Sequence, residues 1–78
     1  MTQQPVNAWV VLKDASSILE ASYPMGRLGT LEDAQAHLER VLAMPEADLV
    51  EWYGFTPATA EIWDDDAQAT IWKKGREV

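Results

Sequence analysis

At 78 residues the chain has room for a single domain, residues 1–78, near the lower limit for a self-supporting core. A hydrophobic share of 47 % is too high for disorder, and with no cysteine neither a disulfide nor a thiolate metal site can reinforce the fold. A net charge of −7, from 13 acids against 6 bases, disfavours direct nucleic-acid and anionic-membrane partners and favours a partner with a basic surface.

In chain order, residues 1–7 read as a polar tail without the basic and apolar regions of a signal peptide. No apolar stretch approaches the roughly 20 residues of a membrane span, so the expected location is the cytoplasm. Residues 8–13, AWVVLK, are β-branched and aromatic and predict a strand. DASS at 14–17 is turn chemistry, and ILEASY at 18–23 predicts a second strand, hairpinned to the first and ended by Pro24. PMGRLG, 24–29, reads as a loop that reverses the chain.

TLEDAQAHLERVLAMP carries the strongest periodic signal. Thr30 suits an N-cap, Asp33 stands at the capping-box position, and Glu32 and Asp33 suit the positive end of a helix dipole. Leu31, Ala34, Leu38, Val41 and Leu42 form one apolar stripe, which predicts a helix over 31–43. LVEWY, 49–53, either extends that helix or starts a strand; the break at Pro45, the aromatics and Val50 favour a strand. TAEIW (59–63) and ATIWK (69–73) predict two strands joined by an acidic turn, and residues 75–78 a second tail.

The resulting layout is β-β-α-β-β-β: an α+β fold with an antiparallel sheet of four to five strands and one amphipathic helix packed on one face. The tryptophan-bearing first hairpin, the TLEDAQAHLE helix and the LVEW segment before a last hairpin resemble small proteins of unassigned function from actinobacteria and their phages. The resemblance covers most of the chain. It implies this fold and a phage or mobile-element origin, and it carries over no active site.

Four tryptophans are many for this length, since each can bury roughly 200 Å². If the last hairpin pairs symmetrically about Asp65 and Asp66, Trp63 lies opposite Gln68 and Thr59 opposite Trp72. Alternation then turns Ala60, Ile62, Ala69 and Ile71 toward the helix, and Thr59, Glu61, Trp63, Gln68, Thr70 and Trp72 away. The first hairpin divides likewise, with Val10, Leu12, Leu19 and Ala21 inward. The helix-free face would then hold Trp9, Val11, Ile18, Trp63 and Trp72, too much apolar surface to leave bare. This set is the expected interaction surface, for another protein or for a second copy in a homodimer; a one-residue register shift would instead split Trp63 and Trp72 between the two faces.

Asp48, Glu51, Glu61, Asp64, Asp65 and Asp66 fall in a stretch without a single base between Arg40 and Lys73, and they form a second candidate surface. Such an acidic patch would meet a basic, nucleic-acid-binding surface on a host protein, as DNA mimics do. Asp64–Asp66 read as turn residues rather than a cation site, because no EF-hand pattern surrounds them. His37, the sole histidine, has Asp33 one turn before it but no further catalytic partner. GRLGT lacks the lysine ending of a P-loop. Lys73, Lys74 and Arg76 read as a solvated basic end. The chain is thus expected to be a non-enzymatic interaction module without cofactor or metal, in its most concrete form a phage-type accessory or inhibitor. The alternative is a small-ligand or enzyme domain with an aromatic pocket.

Overall fold

The computed structural model describes residues 5–76. Strands β1 (Ala8–Lys13) and β2 (Glu20–Pro24) come first, followed by a single 3-10 turn at Met25–Arg27. Helices α1 (Leu31–Ala43) and α2 (Glu46–Tyr53) follow, and then strands β3 (Thr59–Asp64) and β4 (Ala69–Gly75). The four strands form one antiparallel sheet in the order β2-β1-β3-β4. The fold is α+β with an antiparallel sheet of four strands, within the expected four to five, and with two helices in place of one.

The expected strand at 49–53 is therefore helical. Pro45 ends α1 as expected, with Met44 before it extended (ψ 152°), and it also occupies the N-cap position of α2, where its carbonyl accepts from the Asp48 and Leu49 amides. Proline suits a helix start, where no amide is needed, and Glu46 and Asp48 complement the dipole in the first turn. Gly54 ends α2 in the left-handed region, φ 82°. The second strand also starts later than expected, at Glu20. Asp14 accounts for this: its carboxylate accepts from the Ile18 and Leu19 amides and the Ser16 hydroxyl, which holds residues 14–19 in a wide turn. Desolvation pulls that carboxyl upward, but the hydrogen bonds from Ser16, Leu19, Ile18 and Ser17 together hold it below the usual carboxylate range.

Helix α1 follows expectation. The Asp33 amide donates to the Thr30 hydroxyl (3.2 Å), and the Thr30 amide donates to the Asp33 carboxylate (3.1 Å), a complete capping box. Ala34, Leu38 and Leu42 join Val10, Leu12, Ala60 and Ile62 in one buried cluster that also takes in Met25 and Phe55. Tyr23 of β2 and Tyr53 of α2 pack at its margin. Asn7, Gly75 and Arg76, assigned from sequence to the tails, carry ordered contacts: the Asn7 carbonyl accepts from the Asp65 amide and the Arg76 amide donates to the Ala58 carbonyl. Gly75 is the last residue of β4.

The β3–β4 pairing differs from the symmetric one. A two-residue turn at Asp65-Asp66 would need positive φ at both positions, which aspartate adopts only with strain. The chain instead uses the four residues 65–68, with positive φ only at Gln68 (53°), and Asp64 pairs with Ala69 and Trp63 with Thr70. This offset of two leaves every side chain on its expected face. A β-bulge between Ile62 and Trp63 then sets Ile62 opposite Trp72 and leaves Ile71 as the extra residue. From there on β4 is inverted: Trp72 packs against the core cluster, and Ile71 is 39 % exposed.

Two measurements check these packing details. A Cβ at Gly29 (φ 107°) would lie 2.6 Å from the Asp33 carboxylate that caps α1, whereas one at Gly54 meets nothing within 4 Å. Gly54→Ala should cost about 1 kcal/mol in urea unfolding, from backbone conformation alone. Gly29→Ala should cost about 2 kcal/mol, because the cap is displaced as well. Burial, then the charge and hydrogen bond of Tyr53, push the Tyr23 phenol up to about 12. Folding thus favours the neutral phenol, and this stability is fully present below pH ~10 and lost as pH rises toward 12. The urea midpoint should fall across that window, and less steeply in Tyr23→Phe.

Candidate functional site

The helix-free face of the sheet is built from alternate residues of all four strands. Trp9 lies opposite Trp63 and Val11 lies opposite Glu61 across the central pair, with Ser22 of β2 beside Val11. Buried neighbours Ala8, Val10 and Leu12 point the other way, so their packing against the helices is what presents Trp9 and Val11 outward.

One carboxylate organises this face. The Trp9 Nε1–H donates to Asp65 Oδ2 at 3.1 Å, and the Trp63 Nε1–H donates to Asp65 Oδ1 at 2.8 Å. Both indoles are therefore fixed by a single side chain in the β3–β4 turn. The turn is itself anchored: the Asp65 amide donates to the Asn7 carbonyl at 3.0 Å, and the Gln68 side-chain amide donates to the Asp65 carbonyl at 2.6 Å. Asp64 accepts from the Asp66 amide (3.0 Å), and Asp66 accepts from the Asn7 side-chain amide (3.1 Å). The three consecutive aspartates thus have three separate tasks: Asp64 braces the turn, Asp65 holds the two indoles and Asp66 ties the turn to Asn7.

Beyond the indoles lies a charged band. Glu61 sits between Lys13 and Lys73, each 3.7 Å away, with its side chain only 16 % exposed. Its charge is matched on both sides. Between Trp9, Val11, Trp63, Asp65, Glu20 and Ser22 runs an open, shallow groove of about 300 Å³.

The structure brings together Trp9, Val11 and Trp63 from the expected interaction set, and it separates the other two. Trp72 lies on the core side because of the bulge, and Ile18 stands in the 14–19 turn, 81 % exposed. The acidic residues do not share one environment. Asp48 and Glu51 are exposed on α2, Glu61 lies between two lysines, and Asp64, Asp65 and Asp66 are engaged within their turn. Asp33 serves the α1 cap, and the half-buried His37 imidazole is held below its ordinary range by desolvation and then by Arg40. Lys74 pairs with Glu39 at 3.5 Å.

Two features were not foreseen. Trp52 is 64 % exposed on α2, with its ring centroid 6.4 Å from that of Tyr53. The signal for it was present in the sequence, since Pro45 before and Gly54 after the segment mark a short helix. At the opposite end of the sheet from the acidic turn, a recess of about 390 Å³ opens beside Arg76, Pro57 and Glu46. The Arg76 Nη1 is buried without a hydrogen-bond partner among the described residues. No helix among these residues is long and apolar enough to cross a membrane.

Comparison with known protein families, curated proteins and solved structures finds no match to this chain.

Removing the Asp65 carboxylate should free both indoles at once. Asp65→Ala is expected to move the Nε1–H resonances of Trp9 and Trp63 and to leave those of Trp52 and Trp72 in place. It should cost about 1 kcal/mol in chemical unfolding, as expected for exposed charge-assisted hydrogen bonds.

Proposed function

We propose that this chain is a small, non-enzymatic interaction module that binds another protein through the Trp9–Val11–Trp63 face of its sheet. The observation that carries this reading is the double hydrogen bond from both indoles to Asp65. Exposed tryptophans free to rotate would lose side-chain entropy on binding. These two are already held, so less ordering remains when a partner arrives. Tryptophan is also the residue type most enriched among binding hot spots. The groove between them is wide and shallow, a form that suits a protein surface better than an enclosed small molecule.

The acidic residues are a weaker basis for recognition. Glu61 is neutralised by two lysines, and the turn carboxylates accept hydrogen bonds within the chain. Among them Asp65 alone holds the tryptophans, and its part in recognition is to shape that face and lend it negative charge. The sequence resemblance to small actinobacterial and phage proteins favours a cytoplasmic accessory or inhibitor that acts on a host protein.

The test begins with the full chain as bait and continues with each captured protein in purified form. Trp9→Ala and Val11→Arg should each weaken the purified complex by roughly thirtyfold or more, the loss of about 2 kcal/mol typical of a hot spot. Trp52→Ala should bind as the parent does. A complex insensitive to both face variants and lost in Trp52→Ala would place recognition on α2 and sink the proposal.

A further inference from the structure

The groove has a chemistry more specific than an apolar patch. Its walls are two indoles, and carboxylates stand at Glu20 and Asp65. Asp65 accepts one indole N–H on each oxygen, yet a carboxylate offers about four acceptor sites, so half of its capacity remains. The lysines on the same face, Lys13 and Lys73, are both drawn to Glu61. The face as a whole carries three carboxylates, at Glu20, Glu61 and Asp65, against those two ammonium groups.

We infer that the groove is a receptor for an arginine side chain of the partner protein, with the guanidinium laid against the indoles and forked toward the free acceptor sites of Asp65, and with Glu20 adding negative charge toward the other end of the groove. This inference rests on the reading of the face as a protein-interaction surface and names the group it grips. A guanidinium matches the site in three ways. It is planar and weakly hydrated, so it stacks on an indole face. Its fork of N–H donors suits the carboxylate oxygens that remain free. Its positive charge complements a chain of net charge −7 and a groove edged by acids. A lysine ammonium, compact and strongly hydrated, would satisfy the carboxylates but gain less from the ring faces. A phosphate group would meet like charge.

The experiment follows the four indole Nε1–H resonances of the nitrogen-labelled full-length protein during titration with a capped five-residue peptide that has arginine at its centre. Three control peptides replace the arginine by citrulline, its neutral isostere, by lysine, or by glutamate. The arginine peptide should shift the Trp9 and Trp63 signals saturably and leave Trp52 and Trp72 unmoved. Citrulline should weaken the interaction about tenfold. Glu20→Gln, which leaves the Asp65 clamp intact, should weaken it about threefold. Lysine should bind more weakly than arginine, and glutamate should not bind.

Equal binding of the arginine and citrulline peptides, or of arginine and lysine, would overturn the guanidinium assignment. So would shifts spread evenly over all four indoles, or no shift at all. Concentration-dependent shifts of Trp9 and Trp63 without peptide would assign the groove to a second copy of the chain instead. None of these results touches the wider reading, which fails separately if a purified partner binds independently of Trp9 and Val11.

Discussion

Which tryptophans the open face of the sheet carries turns on one extra residue in one strand. Without the bulge at Ile71, β4 would keep its alternation, Trp72 would lie on the open face and Ile71 would fill the core. With it, the larger side chain goes inward against Ile62 and the smaller one is left half outside. An indole removes more apolar area from water than an isoleucine side chain, so the bulged register gives a small core more burial. In a chain with no disulfide to fall back on, that is a substantial gain. The consequence for recognition is direct. The open face retains two tryptophans in place of three, and they are the two that one carboxylate reaches.

Asp65 joins the fold to the surface. It stands in a turn, where aspartate is common, but its side chain reaches back over the sheet to tryptophans on adjacent strands. The arrangement depends on β1 and β3 being neighbours, which brings Asn7 within reach of the same turn. Acidic residues that look in sequence like an electrostatic surface are in large part internal fittings. Glu61 illustrates the same point between its two lysines. What faces the solvent as a distinct chemical feature is a pair of oriented rings edged by carboxylates.

Much of the fold was legible in the sequence. The alternation in AWVVLK and TAEIW placed Val10, Leu12, Ala60 and Ile62 in the core, where they are fully buried, and the Thr30–Asp33 pair located the start of α1. Helix α2 is not legible because its eight residues are too few for a clear period, and because Pro45 plays two parts: it ends α1, as its position in the sequence implies, and it also starts α2. The β3–β4 register is left open by the sequence, between the symmetric pairing and a one-residue shift that splits Trp63 from Trp72, for a different reason. A bulge is settled by competition between whole strand pairings, and no single residue near Ile71 announces it. The Asp65 clamp links residues 56 positions apart, so it follows only from a sheet order that local patterns do not encode.

Cross-strand nuclear Overhauser contacts along the β3–β4 ladder test the central claim most directly. The bulged pairing predicts backbone contacts of Trp72 with Ile62 and of Thr70 with Trp63. Backbone contacts of Trp72 with Thr59 and of Gln68 with Trp63 would show the symmetric ladder, return Trp72 to the open face, and contradict the account.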